Sequence, residues 1–139
     1  MNKKTLSFSF GIDERGIELI KQAAKYDGKR PSTFCRETII TLCHYYEKID
    51  YTRIEEFLIE THFITDQPKN DKSYSFGVST EDKELINRVA EQFGVKPSTW
   101  VRTVLKDFGE NYQAGNHAYM RGFMNSIRKS LMDKQLEEI

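Results

Sequence analysis

The chain has 139 residues and a formal net charge of zero, with 38% hydrophobic and 30% charged residues. This composition is typical of a folded globular protein rather than a disordered chain, and it shows no strong basic bias. The sequence has no apolar run near the roughly 18 residues that span a bilayer and no apolar signal-peptide segment, so we expect a cytoplasmic location without membrane contact.

Two segments of the chain are similar to each other. Residues 7–40 and 73–106 align without a gap, and 13 of the 34 positions are identical. Each residue of the first copy is matched by the residue 66 positions later, as Ser7 is by Ser73, and this distance is called the repeat offset below. Unrelated segments of ordinary composition would share roughly two positions, so the repeat indicates a duplicated supersecondary unit. The range 1–48 carries 9 Lys and Arg against 6 Asp and Glu, so the first copy is the more basic one.

Each copy begins with residues that alternate between large apolar and small polar side chains. The large residues are Leu6, Phe8, Phe10 and Ile12 in the first copy, and Tyr74, Phe76 and Val78 in the second. This alternation predicts a half-buried β-strand in each copy. Asp13 in the first copy, and Ser79 or Thr80 in the second, are suited to cap the helix that follows.

Two helices follow the strand in each copy. Gly28 and Gly94 are expected to end the first helix, and Pro31 and Pro97 suit the first position of the second. The predicted core positions are Ile17, Ile20, Ala23, Ala24, Phe34, Cys35, Thr38, Ile39 and Leu42, matched by Leu85, Ile86, Val89, Ala90, Phe93, Trp100, Val101, Val104, Leu105 and Phe108. One such unit is too small to fold alone. We therefore expect the two strands to pair antiparallel within one chain, with the four helices covering their apolar face.

Two further segments lie outside the repeat. Residues Tyr51–His62 place Ile54, Phe57 and Leu58 on one helical face, which predicts a connecting helix packed on the helical core. The polar linker 66–71 follows it. At the C-terminus, a helical stripe consists of Tyr119, Phe123, Ile127 and Leu131, with three methionines beside it. This stripe either folds back on the core or joins a second chain, and it is the candidate self-association surface.

The sequence lacks the patterns typical of catalytic and metal centres. The three histidines, His44, His62 and His117, lie in unrelated contexts, and Cys43 has no second ligand at metal-binding spacing. There is no Gly-rich phosphate loop, recognisable Ser-His-Asp arrangement or paired-acid motif. We expect no enzymatic activity, no metal and no cofactor.

The order of strand, helix, Gly-containing turn and second helix with Ser, Thr and Arg in its first turns resembles the ribbon-helix-helix superfamily of Arc- and MetJ-type repressors. The resemblance covers both repeats. It implies a mostly α fold, a tandem ribbon-helix-helix pseudo-dimer with a two-stranded antiparallel ribbon plus linker and C-terminal helices. The expected divisions are residues 5–48 for the first repeat, 49–70 for a linker with a short helix, 71–112 for the second repeat and 113–139 for the C-terminal helix.

The resemblance also implies a binding partner, because paired strands of this family enter the major groove of double-stranded DNA. The ribbon positions that would face the groove are Ser7, Ser9, Gly11, Ser73, Ser75 and Gly77. The phosphate clamp would come from the starts of the second helices, at Lys29, Arg30, Ser32, Thr33, Lys96, Ser98 and Thr99. Arg36 and Arg102 follow the clamp and would either reach a phosphate or pair with an acid.

The expected function is that of a DNA-binding protein, either a transcriptional regulator or a DNA-processing accessory factor of a phage or plasmid. DNA-reading members usually carry longer polar side chains on the ribbon, whereas this chain offers only Ser and Gly. A ribbon-helix-helix derivative that binds a protein, as an inhibitor or adaptor, is therefore the alternative. A homodimer through the C-terminal helix is compatible with both functions.

Overall fold

The structure, a computed structural model, describes residues 6–48 and 72–137. In that part of the chain two strands and five helices follow one another as β1 (Leu6–Ile12), α1 (Glu14–Tyr26), α2 (Pro31–Lys48), β2 (Lys72–Val78), α3 (Thr80–Gln92), α4 (Pro97–Gln113) and α5 (His117–Glu137). The expectation of a mostly helical protein with one two-stranded antiparallel sheet is confirmed. Each repeat contributes one strand and then two helices. The predicted connecting helix at Tyr51–His62 and the polar linker 66–71 lie outside the described residues.

The two strands pair antiparallel within the one chain, as the sequence predicts. Phe8 lies opposite Phe76, Ser9 opposite Ser75, and Phe10 opposite Tyr74. Ser9 and Ser75 occupy the same position of the repeat, so the register is unchanged when the copies are exchanged. The ribbon therefore has a pseudo-two-fold axis through the pair formed by Ser9 and Ser75.

The inner face of the ribbon is aromatic and buried. Phe8, Phe10 and Phe76 are at most 5% exposed, and the ring centroids of Phe8 and Phe76 lie 5.6 Å apart. Phe10 also meets Tyr74 edge to face at 6.1 Å. Aromatic pairs on one face of an antiparallel ribbon stabilise both the pairing and its register.

The helix boundaries follow from local chemistry. The Asp13 carboxylate accepts a hydrogen bond from the Gly16 backbone N–H at 2.8 Å, and the Ser79 hydroxyl accepts one from Asp82 at 3.0 Å. These are the N-caps of α1 and α3, and Ser79 rather than Thr80 fills that role in the second copy. Gly28 and Gly94 follow the first helices with φ of 66° and 70°, the left-handed conformation that glycine adopts without steric cost.

The two repeats interlock rather than pack as separate halves. Helix α1 packs most extensively on α4, and α3 on α2, so each first helix contacts the second helix of the other copy. The approach of α1 to α4 is close because Gly109 has no side chain; a Cβ there would lie 2.6 Å from the Cβ of Leu19. A single core results, centred on α4, whose Trp100 and Val101 are fully buried.

Helix α5 closes one end of this core. It packs against α2 and α4 through Met120, Met124 and Ile127, which are at most 5% exposed. The Phe123 ring lies 6.4 Å from that of Phe108. The apolar segment at the C-terminus therefore folds back on its own chain. No helix within the described residues is long and apolar enough to cross a membrane.

Candidate functional site

The outer face of the ribbon is smooth and uncharged between its two ends. The hydroxyl-bearing residues Ser7, Ser9, Ser73 and Ser75 are exposed, and Gly11 and Gly77 are half-buried. Across the ribbon Ser7 faces Gly77 and Gly11 faces Ser73, so every cross-strand pair on this face consists of Ser or Gly. The face offers small hydroxyl groups and closely accessible backbone, with no side chain that projects far from it.

The second helix of each copy packs against one strand of the ribbon. Helix α2 packs along β2 and helix α4 along β1, as the pseudo-two-fold axis requires. The first intrahelical hydrogen bond of α4 runs from the Trp100 N–H to the Lys96 carbonyl, and that of α2 from Phe34 to Arg30. The amides before these bonds have no partner within the helix, and α4 has no side-chain cap. Such groups favour an anion.

Arg102 connects the start of α4 to the ribbon. Its guanidinium donates to the Gly11 carbonyl at 3.0 Å and to the Thr99 hydroxyl at 3.2 Å. The residue is 6% exposed, and this burial lowers the pKa of the Arg102 guanidinium without removing its charge. These two contacts of Arg102 are made neither to a phosphate nor to an acid; they hold the first turn of α4 against the end of β1.

The residues predicted as a phosphate clamp differ in their accessibility. Arg30, Ser32 and Lys96 are exposed, whereas Lys29, Thr33 and Ser98 are half-buried and Thr99 is buried. The Lys29 ammonium forms an ion pair with the Glu37 carboxylate at 2.7 Å. Because the Thr99 hydroxyl accepts the bond from Arg102, it serves the internal arrangement of α4. Arg30 and Lys96, which occupy the same position in the two copies, are the accessible cations of the set.

The candidate self-association surface is mostly used within the chain. Ile127 is 2% exposed, and Phe123 and Leu131 are half-buried against the core. Tyr119 is 70% exposed, and Met132, next to the stripe, is 63% exposed. Self-association through this helix stays a prediction, and these two exposed side chains are where it would begin.

Two polar clusters were not predicted from the sequence. The Lys106 ammonium contacts the Asp13 carboxylate at 3.1 Å, and both side chains are at least four-fifths buried. Burial alone would raise the pKa of Asp13, but the hydrogen bonds from Gly16 and Lys106 outweigh it and lower that pKa. The repeat gives no signal for this pair, because the equivalent residues in the other copy are Ser79 and Ile40.

The second cluster joins the end of α1 to α4 and α5. The Tyr112 hydroxyl donates to the Asp27 carboxylate at 3.0 Å, and the Arg121 guanidinium contacts the same carboxylate at 3.2 Å. Burial, and then the hydrogen bond to Asp27, raise the pKa of Tyr112. These side chains line a cleft of about 180 Å³, together with Lys29, Thr38, Phe108, Met124, Asn125 and Arg128.

The described residues contain no group of three or more His, Cys, Asp or Glu side chains that could hold a metal ion. Cys35 and Cys43 are buried free thiols, and burial raises the pKa of the Cys35 thiol to about 12. At neutral pH both act as small apolar core residues rather than nucleophiles.

Comparison with known proteins gives no matching family model, no similar curated protein and no similar solved structure.

Proposed function

We propose that this chain is a DNA-binding protein of the ribbon-helix-helix type, in which two tandem repeats form a pseudo-dimer within one chain. The observation that carries the proposal is the two-stranded ribbon, which has a pseudo-two-fold axis through Ser9 and Ser75 and an accessible outer face. Helix α2 packs against β2 and helix α4 against β1, and the exposed Arg30 and Lys96 immediately precede these helices. A two-stranded ribbon has the width that the major groove of B-DNA admits.

In this proposal the ribbon enters the groove and the helix starts contact the flanking phosphates. The first-turn amides of α2 and α4, which have no partner within their helices, are natural phosphate ligands, and Arg30 and Lys96 add one accessible cation on each side. Arg102 acts as a positioning residue, because it fixes the start of α4 relative to β1. Phosphate contacts of this kind fix register and orientation on the duplex.

Base reading is expected to be weak. A serine hydroxyl makes a single short hydrogen bond, whereas strong discrimination comes from bidentate contacts by longer side chains. The protein would therefore bind many sequences with similar affinity. This behaviour suits a DNA-processing accessory factor of a phage or plasmid, whereas a transcriptional regulator would need further specificity from DNA shape or from a second bound copy.

The test is duplex binding measured by fluorescence anisotropy over a series of salt concentrations. Replacing Arg30 and Lys96 together by Gln should weaken binding to all sequences and reduce the slope of log K against log salt by up to about 1.8, since each lost phosphate contact removes about 0.9. The matched control replaces the exposed Lys25 and Lys129, which lie outside the proposed contacts, and should leave the slope nearly unchanged. Absence of binding by the unmodified protein at about 50 mM salt would end the DNA proposal.

A second candidate function is protein binding by the same ribbon. The uncharged Ser and Gly face favours it, as do the zero net charge and the ion pair that occupies Lys29. Such a protein would act as an inhibitor or adaptor. If DNA binding is absent, replacing Ser9 and Ser75 by Arg should abolish partner binding while the unfolding temperature is preserved.

A further inference from the structure

We propose that the cleft between the end of α1 and helices α2, α4 and α5 binds a small organic monocarboxylate. The cleft measures about 180 Å³ and is lined by both polar and apolar side chains. Sites for drug-sized ligands measure about 300–1,000 Å³, so the ligand of this cleft is a smaller molecule. The lining includes no ribbon residue, and the inference is therefore independent of DNA binding.

The charges around the cleft leave one cation without an acid. The Lys29 ammonium pairs with the Glu37 carboxylate at 2.7 Å. The Arg121 guanidinium pairs with the Asp27 carboxylate at 3.2 Å. The third cation of the lining, Arg128, forms no ion pair within residues 6–48 and 72–137. A single uncompensated positive charge suits a monoanion better than a phosphate dianion, whose second charge would lie unpaired near the Asp27 carboxylate.

The Arg128 side chain is partly buried in the cleft. Its guanidinium donates to the Asn125 side-chain oxygen at 3.1 Å, which engages one of its five N–H donors. Burial raises the pKa of the Tyr112 hydroxyl, and the positive charges of Arg121 and Arg128 oppose that rise, so both charges act on the interior of the cleft. The planar guanidinium matches the two oxygens of a carboxylate with two parallel hydrogen bonds.

Apolar side chains complete the lining. Phe108 from α4 and Met124 from α5 are 1% and 5% exposed and border the same cleft. A few polar groups placed against apolar walls are typical of small-molecule sites, where the walls contact the hydrocarbon part of the ligand. The ligand class is therefore a carboxylate attached to a short apolar group.

The polar lining departs from the repeat. Three lining residues of the first copy have apolar counterparts one repeat offset later: Asp27 corresponds to Phe93, Lys29 to Val95, and Thr38 to Val104. In the second copy Val104 is buried, and Phe93 and Val95 are partly buried against the core. The duplicated fold therefore accepts apolar side chains at these positions, and the polar lining of the cleft is not a requirement of that fold.

The test is an NMR titration of the ¹⁵N-labelled full chain with butanoate and with benzoate, each to about 20 mM, which detects millimolar dissociation constants. The amides of Lys29, Tyr112 and Arg128 should shift, whereas those of Ser9 and Ser75 should not. Butanamide and benzamide, which have the same shapes without the charge, should cause no comparable shifts. The proposal is overturned if neither carboxylate shifts the cleft amides, if the neutral amides act equally, or if inorganic phosphate binds more tightly than both carboxylates.

A variant locates the binding charge. Arg128→Gln should weaken carboxylate binding about 10- to 100-fold, because the charge-assisted hydrogen bonds to the ligand are lost. The matched control is Lys129→Gln, which removes the same charge from the adjacent, exposed position of α5 and should leave the affinity nearly unchanged. Equal weakening by both variants would mean that only the overall charge attracts the anion, and would overturn the proposal.

The stability of Arg128→Gln distinguishes a ligand-binding role from a structural one. Without ligand, its unfolding temperature should equal or exceed that of the unmodified protein, because no acid loses a partner and two other cations line the cleft. Butanoate should raise the unfolding temperature of the unmodified protein but not that of the variant. A clear decrease in the unfolding temperature of ligand-free Arg128→Gln would mean that Arg128 stabilises the packing of α5, and would overturn the proposal.

Discussion

Replacing Phe10 by Ala should test the division of the ribbon into a buried and an exposed face. Phe10 is 3% exposed, and its ring contacts those of Phe8, Tyr74 and Phe76 at 6.1 to 6.5 Å. Truncating a buried phenylalanine costs about 3–5 kcal/mol, which combines lost burial with the cavity that remains. For a chain of this size a loss of 1 kcal/mol lowers the unfolding temperature by about 2–4 °C, so the expected decrease is roughly 6–20 °C.

The assay is urea and thermal unfolding followed by circular dichroism. The matched control is Ser9→Ala, one position away on the same strand, whose exposed side chain should change stability by no more than about 0.5 kcal/mol. The equivalent pair, Phe76→Ala and Ser75→Ala, should behave the same way because the register is symmetric. A cost below about 1 kcal/mol for Phe10→Ala, or an equal cost for Ser9→Ala, would refute the assigned faces.

Three further predictions concern the side chains around the ribbon and α5. Asp13→Asn keeps an N-cap residue but removes the negative charge that pairs with Lys106, so it should cost roughly 1–3 kcal/mol at neutral pH. In the folded state the pKa of Asp13 is lowered from 3.8, so the Asp13 carboxylate stabilises the fold fully above its unfolded pKa and progressively less as pH falls below that value. The difference in stability between the unmodified protein and Asp13→Asn should therefore shrink below about pH 4. Unfolding at several pH values would check this. Arg102→Met should cost roughly 1–3 kcal/mol of folding stability and, if DNA is bound, should weaken binding. Arg36→Met, at the half-buried equivalent position, should cost less stability. Equal losses of stability for the two variants in denaturation would contradict the positioning role of Arg102. If the chain self-associates through α5, Tyr119→Glu should lower the mass measured by light scattering, and an unchanged dimer mass would exclude this surface.

The elements that follow from local chemistry were predictable. Alternating residues determined which face of each strand is buried, and Asp13, Gly28 and Gly94 marked helix ends through side-chain capping and positive φ. The repeat further predicted that the two strands pair with each other. These features depend on neighbouring residues and on one global relation, the repeat offset, which is visible in the sequence.

Contacts that break the repeat were not predictable. The ion pair of Asp13 with Lys106 and the cluster around Asp27 join residues that are distant in the chain and have no counterpart in the other copy. The hydrogen bond from Arg102 to Thr99 depends on where the long Arg102 side chain is directed, which sequence spacing does not determine. In α5 the apolar face is wide, and packing selected Met120, Met124 and Ile127 rather than Tyr119 for the buried side.

Because β1 and β2 belong to a single polypeptide, assembly of the ribbon does not depend on protein concentration. Two separate chains would dissociate on dilution, and their folding would be second order. Here formation of the ribbon is unimolecular, so it should persist at the few copies per cell at which a dimer would fall apart. Covalent linkage also lets one half change without forcing the same change on the other. The ion pair of Asp13 with Lys106, present on one side only, illustrates that freedom.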